Sequence, residues 1–364
     1  MYMKHKSILI LTLLAALLLT ACTPAVSDPT KATTPPTVAD IFNETTAATD
    51  STDPVDATDT SAEEELPPGS MSVGPADGTW ALDENGPYMI YPGEEMVLPF
   101  QIKATGRIAK NGVGILLFID GQPQPYKTDD EPEYEYMHIF YPEDGENSIY
   151  DFRFTPVVGE EGDDLEIYAA AIVYPTYSLS DGNAGMVYTS GSTASGFRLM
   201  YEQTPPLDTY PEKQAWLSDV TLSLQDATSS DFAGWSDVEM RERIEHNFSI
   251  NGIDGKGSRQ IFDVSTDKPL SLRYELWGTH YVHYGLVFFV DNEPVFAVEA
   301  DPILPQIQNG QKFVLEANLN LPEFDGESVV YAILVPRNYR SSEVMTTAFL
   351  QYGHTFFLLE GSAE

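Results

Sequence analysis

The side chains best suited to chemistry or recognition fall in two stretches. In the carboxy-terminal half, His280 and His283 flank Tyr281 and Val282, with Trp277 and Tyr284 alongside. Two imidazoles three positions apart in an extended segment point to opposite faces, which is poor geometry for one metal ion. Aromatic rings in the same place can stack on sugar rings or pack into a protein partner. In the amino-terminal half, acids dominate: Asp129-Asp130-Glu131 with Glu133 and Glu135, then Glu143-Asp144-Gly145-Glu146, then Glu160-Glu161-Gly162-Asp163-Asp164. Calcium takes roughly six to eight oxygens, but none of these runs has the spaced ligand pattern of an EF-hand. They read as solvated loops, and no metal is expected. Tyr134 and Tyr136 lie among the acids, so the candidate ligand contacts are Tyr134, Tyr136, Trp277, His280, Tyr281 and His283.

Catalytic signatures are missing from the chain. There is no Gly-x-Ser-x-Gly elbow, no phosphate loop and no His-Glu-x-x-His helix. Ser190-Gly191-Ser192-Thr193-Ala194-Ser195-Gly196 is small and polar but lacks a strand-to-helix context. Paired carboxylates for glycoside hydrolysis are available by count, yet the strand pattern leaves no room for a catalytic barrel. A non-catalytic protein without cofactor is therefore expected, with an unrecognised extracellular hydrolase as the reading against it.

Charge narrows the partners. The 19 Lys and Arg face 56 Asp and Glu, a formal net charge of −37. Nucleic acid and anionic head groups would be repelled, because binding them needs clustered cations. Neutral sugars, basic proteins and divalent cations are compatible. Apolar residues make up 42% of the chain, enough for substantial cores. Cys22 is the single cysteine, so an intrachain disulfide is impossible and packing alone must hold the fold.

The amino terminus suggests an address. Lys4 and Lys6 precede an apolar run from Ile8 to Ala21, shorter than the ~20 residues a spanning helix needs and suited to a signal peptide at 1–21. The run ends in Leu19-Thr20-Ala21-Cys22, which resembles the lipobox of bacterial lipoproteins. That resemblance implies cleavage after Ala21, a diacylglyceryl group on Cys22, and residence on the outer face of the bacterial cytoplasmic membrane. Residues 22–70 are rich in Thr, Pro, Ala and Asp and read as a disordered acidic tether, of a length and bias more Gram-positive than Gram-negative.

Beyond the tether the chain repeats. Gly114-Ile115-Leu116-Leu117-Phe118-Ile119-Asp120-Gly121-Gln122-Pro123 is matched by Gly285-Leu286-Val287-Phe288-Phe289-Val290-Asp291-Asn292-Glu293-Pro294. Five consecutive apolar residues predict a strand covered on both faces, and Asp-Gly or Asp-Asn predicts a hairpin corner. Upstream, alternating Leu98, Phe100 and Ile102 match Leu272, Tyr274 and Leu276. Downstream, Ile149–Pro156 matches Phe313–Pro322, and Leu165–Val173 matches Val329–Val335, the Tyr168-Ala169 and Tyr331-Ala332 pairs aligning. Asp219–Gln225 reads as a strand, and so do Met345–Gln351 and Thr355–Glu360. Helix signals are confined to a capping box at Ser236-Asp237-Val238-Glu239, predicting one or two turns over Met240–His246.

Short strands with regular turn signals indicate an all-β chain of two tandem antiparallel sandwiches, at 71–204 and 205–364, the second opening somewhere between 205 and 250. The pattern is similar to the immunoglobulin-like domains of bacterial surface proteins. That resemblance implies a binding, adhesion or accessory module attached to the membrane through Cys22, with a protein or a glycan as partner. Carbohydrate binding through the exposed aromatics is the alternative.

Overall fold

The computed structural model describes residues 69–176, 178–179, 193–206, 210, 213–235, 243–254, 260–278, 283–297, 302–308, 310–337, 351–352 and 355–360. The expected signal peptide, Cys22 and all but the last two residues of the tether lie outside these, as do His280, Tyr281, residues 240–242 of the expected helix and the 345–350 part of the penultimate strand.

The first half runs β1 (Met71–Pro75), β2 (Ala81–Asp83), β3 (Gly86–Tyr91), β4 (Met96–Ala104), a short helix α1 (Gly106–Asn111), β5 (Val113–Ile119), β6 (Gln122–Gln124), β7 (Met137–Phe140), β8 (Asn147–Phe154), β9 (Asp164–Val173) and β10 (Thr193–Tyr201). The second runs β11 (Gln214–Asp226), β12 (Ile244–Ile250), β13 (Ile253–Asp254), β14 (Gln260–Val264), β15 (Leu270–Gly278), β16 (His283–Val290), β17 (Glu293–Ala297), β18 (Gln311–Leu319), β19 (Glu327–Arg337), β20 (Gln351–Tyr352) and β21 (Phe356–Glu360).

The duplication is written into the pairing. In the first half β1-β4-β8 forms one sheet and β3-β10-β9-β5-β6 the body of the other; β12-β15-β18 and β14-β21-β19-β16-β17 repeat both orders, member for member. Even the parallel pairs correspond, β3 with β10 and β14 with β21. Each half is thus a two-layered sandwich of the immunoglobulin-like kind, its remaining pairs antiparallel apart from β11 with β17.

Each sandwich has a core of its own. In β4 the alternating Leu98, Phe100 and Ile102 are buried, and Phe100 stacks on Phe152 of β8 at 4.7 Å. In β15 Leu272, Tyr274 and Leu276 do the same, and Phe248, Phe288 and Phe356 gather round them. Each large side chain fully buried in this way contributes about 1.5–3 kcal/mol. The stretch expected as a helix is corrected at its described end. Ile244, Glu245 and His246 open strand β12, because Ile244, Phe248 and Ile250 are claimed by the second core and all seven residues pair with β15.

A third apolar cluster joins the halves. In β5, Val113, Ile115, Leu117 and Ile119 face the first core, whereas Leu116 and Phe118 face outward. In β16, Leu286, Phe288 and Val290 face the second core, whereas Val287 and Phe289 face outward. These outward residues meet each other, together with Tyr168, Ala170 and Ile172 of β9 and their counterparts Tyr331, Ile333 and Val335 of β19. Phe118 and Phe289 cross edge-on with ring centroids 6.3 Å apart. The same face of both copies is used, so the seam has the self-complementary logic of a two-fold dimer within one chain. This explains the five-residue apolar runs: one face belongs to a core and the other to the seam.

Backbone comes close at one corner of the seam. A Cβ on Gly285 would lie 2.3 Å from the carbonyl oxygen of Gly121, so the approach requires glycine. Arg337 at the end of β19 forms an ion pair with Asp120 beside it. At the opposite corner the Asn292 amide donates to the Pro175 carbonyl at 3.4 Å, and the Leu179 N–H donates to the Glu327 carboxylate at 3.1 Å.

Candidate functional site

Of the six residues expected to contact a ligand, the four described ones, Tyr134, Tyr136, Trp277 and His283, do not form one site. Trp277 and Tyr136 are corrected from exposed to interior, with 6% and 4% of their surface accessible. The Trp277 indole packs inward and its Nε1–H donates to the Asp231 carbonyl at 2.8 Å. Tyr136 lies against Phe296 of the second sandwich at 6.3 Å, and burial, then the nearby Glu293, pushes its hydroxyl up to about 12. Neither can offer a flat ring to a sugar. His283 is exposed at the start of β16, opposite Arg337 in β19. His280 and Tyr281 lie outside the described residues.

Among the described candidates, Tyr134 sits in a polar surface cluster. Its hydroxyl donates to Glu95 Oε1 at 2.8 Å, the Lys127 ammonium lies 5.1 Å over its ring, and Tyr210 meets it edge-on at 5.8 Å. Lys127 also pairs with Glu95 at 2.7 Å, and this hydrogen bond chiefly holds the Glu95 carboxyl below its ordinary value. Burial and the bond to Glu95 push Tyr134 up to about 12.

The excursion from β6 to β7 that carries Tyr134 also assembles the best-built group of ligand-type atoms. Tyr126 and Glu135 exchange both backbone hydrogen bonds, at 2.9 and 3.0 Å, which closes the excursion on itself. Thr128 accepts the Glu131 N–H on its Oγ1 at 3.1 Å and fixes the turn. Where the excursion re-enters the sheet, alternation in β7 turns His138 inward beside Ile115 of β5. Side-chain donor atoms of Glu131, Glu135 and His138 there lie within 4.8 Å of one another.

His138 is held firmly. Its ring is edge-on to Tyr126 at 4.6 Å, and the Tyr126 hydroxyl donates to the Ile115 carbonyl at 2.8 Å. Nε2 lies 2.6 Å from the Tyr126 carbonyl oxygen. A carbonyl only accepts, so Nε2 carries a hydrogen and Nδ1 is the atom turned toward Glu131, which it contacts. The two carboxylates reach solvent while the imidazole is 1% exposed. The acidic run was conspicuous in the sequence, but His138 was missed. The spacing Glu131-x3-Glu135-x2-His138 was the available signal, and it spans a turn and a strand.

A different kind of opening occurs between the halves, where Gly121, Pro123, Val287, Phe296 and Ile303 border a gap of about 20 Å³, room for one water.

No family model matches this chain, and no curated protein does. Among solved structures it is similar to the N-terminal Ig1-2 module of the Drosophila receptor protein tyrosine phosphatase DLAR, at 10% identity over 81% of this chain and 100% of that one, with a TM-score of 0.19. It is also similar to a chimeric titin Z1Z2-Z1Z2 tandem, at 11% identity over 75% and 94% with a TM-score of 0.17. The CsuC-CsuE chaperone and tip adhesion subunit complex of Acinetobacter baumannii matches at 7% identity over 75% and 95%, with a TM-score of 0.18. Scores of this size carry no argument about function, which rests on the site itself.

Proposed function

We propose that the protein is a non-catalytic binding or adhesion module, anchored by lipid on Cys22 at the outer face of a bacterial cytoplasmic membrane. The observation that carries this reading is the seam. Packing Leu116 and Phe118 against Val287 and Phe289 fuses two sandwiches into one body, so loops on both halves are offered to a partner at fixed spacing. Rigid presentation favours binding because little ordering entropy is lost on association. A protein partner is preferred to a glycan, since Tyr136 and Trp277 are turned inward. Two long acyl chains, at roughly 0.8 kcal/mol per buried methylene, give persistent anchorage.

Fractionation tests the anchor: Cys22→Ser moves the protein from membrane to soluble fractions, and retention in the membrane would refute lipidation. A pull-down from the producing cell's envelope, run beside a glycan array, tests the binding role. The expected result is one stoichiometric protein partner. A glycan hit alone would reverse the preference, and capture of nothing by either route would overturn the binding role.

A further inference from the structure

The two copies allow one position to be read twice. Ile115 in β5 corresponds to Leu286 in β16 through the repeated Gly-apolar-Asp stretch. On the edge away from β19, the residue paired with Leu286 is Ile303, a buried member of the second core. On the edge away from β9, the residue paired with Ile115 is His138. One copy thus buries isoleucine where the other buries imidazole. A buried imidazole needs partners for both nitrogens, whereas an alkyl group needs none.

Those partners have an unbalanced chemistry. Nε2–H is spent on the Tyr126 carbonyl and Nδ1 meets a Glu131 oxygen, so one nitrogen and several carboxylate oxygens converge on the same point. That point takes one electron-pair acceptor, the proton of a histidine–carboxylate pair or a metal cation in its place. A backbone carbonyl orienting the far nitrogen of a histidine is the usual outer support of a metal ligand. Glu131 and Glu135 complete a one-nitrogen, two-oxygen set, and their exposed side leaves further positions to water or a partner's donor. Asp129, Asp130 and Glu133 on the same excursion, within a chain of net charge −37, raise the local cation concentration.

We infer that Glu131, Glu135 and His138 form a divalent transition-metal site of the zinc class, open on its solvent side. An imidazole ligand selects against calcium and magnesium, which take oxygen donors. Glu131 draws back slightly on binding, and its half-exposed side chain has room to do so. The inference stands independently of the lipid anchor and of any partner.

The test uses the full-length chain in detergent, stripped with chelator and titrated calorimetrically with zinc chloride, and separately with calcium chloride. One zinc ion per chain and a raised melting temperature are expected, with calcium much weaker. The double variant Glu131→Gln/Glu135→Gln loses affinity by at least about ten-fold while melting like wild type without metal. His138→Ile installs the residue of the other copy, so it folds, and it abolishes the binding. Failure of wild type to bind zinc stoichiometrically would overturn the site. So would zinc binding of undiminished affinity in either variant, or calcium binding as tight as zinc.

Discussion

The two sandwiches close the same side by different means. In the second, β11 fills the gap between layers: Leu217 pairs with Ala297 of β17 and with Leu319 of β18, and a bulge at Asp219 (φ 52°) bends the strand from one layer to the other. That stitching makes one continuous sheet of the half. In the first, no strand among the described residues stands there. The excursion after β6 takes the place, with Lys127 pairing to Arg153 of β8 where Ser218 pairs to Asn318. A strand closes one copy by repetitive ladder bonds, and an acidic loop with a buried histidine closes the other. What is shared between copies is structural, and what is not shared is where ligand-type atoms converge.

The comparison can be broken at its shared parts first. Phe118→Ala and Phe289→Ala remove equivalent rings from the seam, and each should cost about 3–5 kcal/mol in denaturant unfolding. Closely similar losses are expected; a loss confined to one copy would show that the seam is not symmetric in energy. Next come the repeated glycines. Gly285→Ala drives a methyl into backbone and should cost about 1–3 kcal/mol. At Gly114 the nearest atom to a new Cβ is the Met137 sulfur, the yielding end of a flexible side chain, so Gly114→Ala should cost clearly less.

The hairpin corners sharpen the contrast at smaller cost. Asn tolerates the positive φ of Asp120 (46°) and Asp291 (50°). Asp120→Asn breaks the charge pairing with Arg337 and should cost about 1 kcal/mol in thermal melts. Asp291→Asn keeps one oxygen to accept from the Val329 N–H, and the Ser328 hydroxyl can turn to accept from the new amide NH2, so the variant should be within roughly 0.5 kcal/mol of wild type.

The smallest effect at neutral pH is the alkaline limb. Tyr136 is raised from 10.0 to about 12 by burial, so its neutral form favours the folded state. That contribution is fully present below pH 10 and is lost as pH rises through about 12. Tyr136→Phe should flatten the fall in stability across this window, and an unchanged slope would remove Tyr136 from the account.

Much of this was legible in the sequence because strand periodicity is short-range. The runs Gly114–Ile119 and Gly285–Val290 announced strands covered on both faces, and both are. The identity of the cover was not legible: Phe118 meets Phe289 across 171 positions, and nothing local marks two apolar faces as each other's partners. Helix α1 escaped notice because six residues are too few to show a helical period. Local capping chemistry at Ser236–Glu239 suggested a helix, but long-range pairing of Ile244–His246 with β15 prevailed. Trp277 looked like a surface aromatic because it breaks the alternation of β15, yet the turn holding Asp231 covers it. The Glu131–Glu135–His138 group depends on a backbone excursion doubling back, which only the bridge from Tyr126 to Glu135 reveals.

The seam also sets an order of events during synthesis. Chains emerge amino terminus first, and domains generally fold as they appear. The first sandwich is complete at Tyr201, yet its outward Leu116, Phe118, Tyr168 and Ile172 must wait for Val287, Phe289, Tyr331 and Phe357, the last of which follows 156 positions later. Through that interval the nascent half presents an adhesive apolar face, self-complementary to the same face on a neighbouring nascent chain. Premature pairing between chains would build a domain-swapped or aggregated product from the same contacts that make the monomer. The apolar face that joins the two halves is therefore the one that makes assembly sensitive to chain concentration.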